Sequence, residues 1–252
     1  MTEPVEIPED RYEDVGTFSV VRMSRDDFLR DSWDYEPGDH VTIIGPTGSG
    51  KTYLGYQLMD ACATPEVPGM VLVMKPRDST VSKWSKSVGF LIVRNWPPLR
   101  SPWKPKKPRG WVIWPKHTFD PDRDNEILHD VFRRAILDAY KKGKKILFGD
   151  EVYSLAVELN LTTELVTLWS KGRSMECGLW CATQKPTHIP LWAYSQAEHL
   201  FLHFDPDERA RKRFSEIGGV NPKLVEAIVL SLKKHEWLYI RRRDGAMCIV
   251  EK

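Results

Sequence analysis

The chain has 252 residues, 41% hydrophobic and 29% charged, a balance that allows a sizeable core in one large α/β domain or two small ones. Its formal net charge of +2 would argue against a polyanionic partner if the charge were evenly spread. Four scattered cysteines exclude a disulfide framework, and no apolar run approaches the roughly 18 residues of a membrane-spanning helix.

The charge is not evenly spread. Residues 1–40 hold twelve Asp and Glu against four Arg, a net of −8, whereas residues 79–119 hold nine Lys and Arg and no acid. Such asymmetry points to nucleic-acid contact or to head-to-tail contact between subunits. The acidic N-terminus lacks a signal-peptide pattern, so a soluble protein of the cytoplasm is expected.

Residues 1–16, acidic and proline-containing, are expected to form a flexible arm. Residues 17–252 carry no internal repeat or composition break and read as a single domain. After a strand-like run Phe18-Ser19-Val20-Val21, a helix near residues 26–33 and a turn at Pro37-Gly38-Asp39, the β-branched run Val41-Thr42-Ile43-Ile44 predicts a buried strand. Gly45-Pro46-Thr47-Gly48-Ser49-Gly50-Lys51-Thr52 then fits G-x-x-x-x-G-K-[ST] in full. Glycines let several backbone N–H groups converge on one point, and the following helix aims its positive end there. In this pattern Lys51 reaches the β- and γ-phosphates and the Thr52 hydroxyl ligates Mg²⁺. The flanking strand and the helix over residues 51–62 make a chance Gly/Ser loop a poor account. The chain is expected to bind a nucleoside triphosphate.

Met70-Val71-Leu72-Val73-Met74 reads as a second buried strand, stopped by Lys75-Pro76. A short helix and the run Phe90-Leu91-Ile92-Val93 follow. Residues 94–117 hold six prolines, four tryptophans and seven Lys and Arg, a density that prevents a regular helix or central strand. This insertion is either a basic loop with aromatic platforms for a nucleic-acid backbone or a solvated segment whose tryptophans pack back on the domain. Trp111-Val112-Ile113-Trp114 can form a strand where it rejoins the core.

Residues 122–142 show apolar residues at helical spacing, with Gly143 as the stop. In Lys145-Ile146-Leu147-Phe148-Gly149-Asp150-Glu151 an apolar strand ends in two carboxylates. There an Asp can hold the Mg²⁺ shell and the next Glu can deprotonate a water for attack on the γ-phosphate. A helix over residues 160–174 precedes the buried strand Cys177-Gly178-Leu179-Trp180-Cys181-Ala182-Thr183, whose cysteines read as core residues. Gln184 follows, at a strand's carboxyl end where ligands of parallel sheets gather; it is either a γ-phosphate sensor or a capping amide. His199 and His203 share one face of the next strand without a third ligand and read as structural. Charged residues 206–217 and apolar residues 222–232 predict helices, and a hairpin around Asp244-Gly245 closes the chain.

Taken in order, Gly45–Thr52, Leu147 through Glu151, Gly172-Arg173 and Ala182-Thr183-Gln184-Lys185-Pro186 resemble the motifs of the FtsK–HerA superfamily, and within it those of the compact DNA-packaging ATPases of small tailed bacteriophages. The resemblance spans about residues 38–205. It implies a RecA-like P-loop NTPase of the additional-strand catalytic-glutamate type, with a mostly parallel central sheet flanked by helices. It also implies a homo-oligomeric ring, a pentamer or hexamer, that hydrolyses ATP with Mg²⁺ and translocates double-stranded DNA. The setting would be host cytoplasm and, transiently, a viral prohead with its portal or structural RNA. By this likeness Asp150 coordinates Mg²⁺, Glu151 is the catalytic base, Gln184 the sensor and Arg173 the arginine finger, with Arg211 and Arg213 as competitors. Only 68 residues follow Gln184, without a carboxylate cluster, so a nuclease domain is not expected; DNA contacts would then include Arg241-Arg242-Arg243. Two alternatives stay open: a small-molecule P-loop kinase and a nucleotide-dependent assembly or secretion factor.

Overall fold

The computed structural model describes residues 4–6, 19–99, 107–184, 190, 193, 195–217 and 219–252. In chain order the regular elements begin with β1 (Pro4–Glu6), β2 (Ser19–Met23), α1 (Arg25–Asp31), β3 (Val41–Ile44), α2 (Lys51–Cys62), β4 (Gly69–Leu72) and α3 (Ser79–Val88). Next come β5 (Leu91–Val93), β6 (Gly110–Ile113), α4 (Pro121–Lys142), β7 (Lys145–Gly149), a π turn (Ser154–Glu158) and α5 (Thr162–Lys171). A 3₁₀ turn (Arg173–Met175), β8 (Cys177–Thr183), β9 (His199–Leu202), α6 (Glu208–Lys212), a second 3₁₀ turn (Arg213–Glu216), α7 (Pro222–Ser231), β10 (Trp237–Arg241) and β11 (Ala246–Val250) complete it. The protein is a mixed α/β structure in which most strand pairs are parallel and helices flank the strands.

The chain forms two compact units. One comprises Met1–Asp34, Val41–Lys51 and Thr183–Lys252. Its strands follow the order β1-β2-β11-β10-β9-β3. β9 runs parallel to β3, with Val41 opposite His199, and antiparallel to β10. Within the acidic stretch read as an arm, Pro4–Glu6 pair antiparallel with β2; the rest of residues 1–16 lies outside the described residues. An aromatic cluster fills the core: Phe28 of α1 meets Tyr239 and Phe201 edge-on, with ring centroids 4.7 and 5.8 Å apart. His199 is part of this cluster, stacked on Tyr239 and hydrogen-bonded to its hydroxyl, as a structural histidine should be.

The other unit comprises Tyr35–His40 and Thr52–Ala182. Its strands follow the order β8-β7-β4-β6-β5 and are parallel throughout. β4 and β7 are buried along their apolar stretches, as parallel strands covered on both faces must be. α4 begins at an Asp120 cap with Pro121 in its first turn, stops at Gly143, and buries Leu128, Val131, Phe132, Ala135, Ile136 and Ala139. Gly55 of α2 faces the Phe148 ring so closely that a Cβ there would lie 2.6 Å from it, and this absence of a side chain brings α2 down onto β7. The register sets Leu72 opposite Gly149. The residues that follow β4 and β7 therefore emerge side by side.

Three elements differ from the sequence expectation. The helix expected over 160–174 is α5 followed by a 3₁₀ turn, which ends with Glu176 in the left-handed region. The helix expected over 206–217 is likewise a short α6 and a 3₁₀ turn. The π turn after Glu151 carries no composition signal. The cysteines of β8 are buried and free, and burial pushes the Cys177 thiol up to about 12.

Candidate functional site

In the first unit the phosphate-loop motif leaves β3 through Gly45, and Gly48 and Gly50 take φ of +80° and +96°, which a side chain would resist. Lys51 opens α2 and is buried, its Nζ donating to the carbonyls of Gly45 at 2.7 Å and Pro46 at 3.0 Å. Gly45 N donates to Thr183 O at 3.1 Å. Thr47 Oγ1 donates to Gln184 Oε1 at 2.9 Å, so the structure brings Gln184 onto the loop. Two histidines not singled out for the loop back it. His235, itself at φ +68°, lies with Nδ1 3.3 Å from Ser49 O, and the His203 ring packs edge-on to Trp237 at 5.0 Å. Burial lowers the His203 pKa, and the nearby His235 and Lys51 charges lower it further.

In the second unit the Thr52 hydroxyl donates to Asp150 Oδ1 at 2.5 Å. The other oxygen of Asp150 accepts from Lys75 Nζ at 3.1 Å. Lys75 Nζ also lies 3.9 Å from Asp78 Oδ2, while Asp78 Oδ1 caps α3 through the N–H groups of Thr80 and Val81. Glu151 lines one cavity together with Lys75, Asp78, Asp150, Tyr56, Val73 and Leu155. Burial by itself would lower the Lys75 pKa, but Asp150, with Asp78 and Glu151, outweighs it and the net shift is upward.

The donor set here suits Mg²⁺. A hydroxyl and a carboxylate oxygen are hard ligands, and Mg²⁺ keeps several waters and bonds to substrate phosphates, so two protein oxygens suffice. Among the described residues no group of three or more His, Cys, Asp or Glu forms a denser metal cage.

Arg173 does not line that cavity. It begins the 3₁₀ turn after α5, its side chain 68% exposed, with Nη2 3.8 Å from the buried Asp39 carboxylate. Next to Asp39, His40 accepts from Leu179 N at 2.9 Å through Nδ1 and meets Trp169 O at 3.2 Å through Nε2, the pattern of a neutral imidazole. Burial lowers its pKa to about 4. Arg211, a competing finger, is engaged within its own unit by Glu226 and Asp205 O. The triple arginine is likewise held internally: Arg241 by Asp244 and Asp34, Arg242 by the carbonyls of Ser195 and Ala197, Arg243 by Asp34 and Glu198. In the basic insertion Trp96 and Trp114 are buried, donating through their indoles to Asp138 and to Lys75 O; residues 100–106 lie outside the described residues.

Sequence reasoning missed Lys75, which it read as the stop of a strand. The available signal was a cation at the carboxyl end of a parallel strand, the edge where ligands gather.

No protein-family model and no curated protein matches the chain. Solved structures do. The genome-packaging NTPase B204 of Sulfolobus turreted icosahedral virus 2, in complex with AMP, aligns with a TM-score of 0.60 and 18% identity, covering 85% of this chain and 98% of that one. B204, the DNA-packaging ATPase of Sulfolobus turreted icosahedral virus, gives 0.59 and 19%, with the same coverage. The chain has the fold of a P-loop ATPase. The cytoplasmic domain of the type VII secretion ATPase EccC of Thermomonospora curvata aligns with a TM-score of 0.54 and 14% identity, over 98% of this chain and 28% of that one. These neighbours are consistent with the FtsK–HerA resemblance of the motifs. Among the described residues no helix is long and apolar enough to cross a membrane.

Proposed function

We propose that the chain is an ATP-hydrolysing motor that translocates double-stranded DNA, packaging a viral genome, and that it works as a homo-oligomeric ring. The observation that carries the reading is the Thr52–Asp150 hydrogen bond, with Glu151 next in the chain and in the same cavity. A kinase needs no water-activating carboxylate beside its metal ligand; a hydrolase does. Similarity of fold to packaging ATPases supports the choice of DNA as the partner.

In this reading the backbone N–H groups of residues 45–50 cradle the phosphates and the Lys51 ammonium pairs with their charge. Thr52 and Asp150 would hold Mg²⁺, which would supply positive charge against the phosphate oxygens. Glu151 takes a proton from the attacking water, and Gln184, steadied by Thr47, senses the reacting phosphate. Arg173 reaches the site of a neighbouring subunit and stabilises charge developing in the transition state.

The test is ATP hydrolysis measured against protein concentration, with and without duplex DNA. A rate that climbs steeply with concentration and is stimulated by DNA is expected. Glu151→Gln should lower it about 10²–10⁴-fold while leaving ATP binding intact. Formation of a phosphorylated acceptor without free phosphate would overturn the reading.

A further inference from the structure

β4 and β7 are parallel neighbours in register, so the chain leaving β4 passes beside the Asp150 carboxylate. Lys75 uses this adjacency. Its ammonium sits on Asp150 Oδ2 at 3.1 Å while Thr52 holds Oδ1, so both oxygens of the carboxylate are engaged. A divalent cation ligated by Asp150 would lie within a few ångströms of that ammonium, and like charges at such a distance repel.

We infer that Lys75 is a built-in competitor of the divalent cation at Asp150 and sets the Mg²⁺ concentration at which the site loads. The inference rests on the reading of Thr52 and Asp150 as the metal-holding pair. Two features make Lys75 a displaceable occupant rather than a fixed strut. Its side chain is 61% exposed on a flexible four-carbon stem, so it can swing into water at little cost. Asp78 Oδ2, 3.9 Å from Nζ, gives the released ammonium a second anchor, since Asp78 is itself fixed by capping α3. Loading Mg²⁺ thus becomes an exchange of one cation for another, and the carboxylates Asp78, Asp150 and Glu151 keep a counter-charge throughout.

The experiment compares the wild-type chain with Lys75→Met, Lys75→Gln and Lys75→Arg. In the first arm Mg²⁺ alone, without nucleotide, is titrated while thermal unfolding is followed. Mg²⁺ should stabilise the two neutral variants more than wild type or Lys75→Arg, and the gain should vanish when Asp150→Asn is added to Lys75→Met. In the second arm a fluorescent ATP analogue is bound at increasing Mg²⁺. The neutral variants should half-saturate at about fivefold less Mg²⁺, the scale of a partly exposed ion pair. An equal or higher Mg²⁺ requirement in Lys75→Met and Lys75→Gln would overturn the inference. If wild type bound no analogue at any Mg²⁺ concentration, the nucleotide reading would fail, and the first arm would still decide the role of Lys75.

Discussion

At the end of β7 the Asp150 carboxylate has both oxygens engaged, by a hydroxyl and an ammonium of its own unit. At the end of α5 the Arg173 guanidinium stands 68% exposed, 3.8 Å from Asp39. The first arrangement is preorganised, with its acceptor atoms fixed by strand register and by the start of α2. The second leaves a permanent charge at the surface on a short turn. In an enzyme that completes its site within one chain, the cation meant for the transition state would be held as closely as the carboxylate is. In the proposed reading this exposed charge is the one that would serve a neighbouring chain.

The largest effect that can break this contrast is on rate. Arg173→Ala should lower DNA-stimulated hydrolysis about 10³–10⁵-fold in the assembled state. Mixed with wild type it should impair the whole assembly beyond its mole fraction, as read from activity against mixing ratio; a linear decline would argue for a finger acting within its own chain.

A smaller effect sharpens the comparison from beneath Arg173. His40 is buried neutral, with a folded pKa of about 4 against 6.5. The unfolded chain therefore binds the extra proton first, and stability, fully present above pH 6.5, is lost as pH falls towards 4. The loss amounts to about 3 kcal/mol. Protonating Nδ1 would also strand the Leu179 N–H that it now accepts. Urea unfolding between pH 7 and 4 should show this slope, and His40→Gln should flatten it; His203, shifted in the same direction, accounts for part of what remains.

The smallest effect is the same Arg173→Ala substitution read as stability. An exposed pair at this distance should shift the unfolding free energy by no more than about 0.5 kcal/mol. A large loss there would mean that Arg173 braces the 3₁₀ turn instead of serving catalysis.

Much of the fold was legible because its signals are local. The β-branched run 41–44, the phosphate-loop motif, the helical stripe of 122–142 and the apolar strand before Asp150 all emerge as the sequence implies. The link between Thr52 and Asp150, 98 positions apart, was legible through the motif pair. Lys75 was not, because its meaning depends on β4 lying next to β7, and strand order is set by packing rather than by any residue pattern. Trp96 and Trp114 illustrate the same limit: composition marked them as unusual, but only the fold shows them buried. One of the four places where the chain passes between the two compact units falls between Lys51 and Thr52, inside the motif, where no change of composition marks it.

The two carbonyls that hold the Lys51 ammonium have one further consequence. A loop tethered by its own lysine, by Thr183 and by Gln184 is already ordered, so capturing a phosphate does not require the backbone to surrender much freedom. What changes is the quality of the acceptors: neutral oxygens give way to anionic ones on a nearly rigid frame. In the proposed reading, affinity for a triphosphate would then come mainly from the heat of binding rather than from a folding transition of the loop.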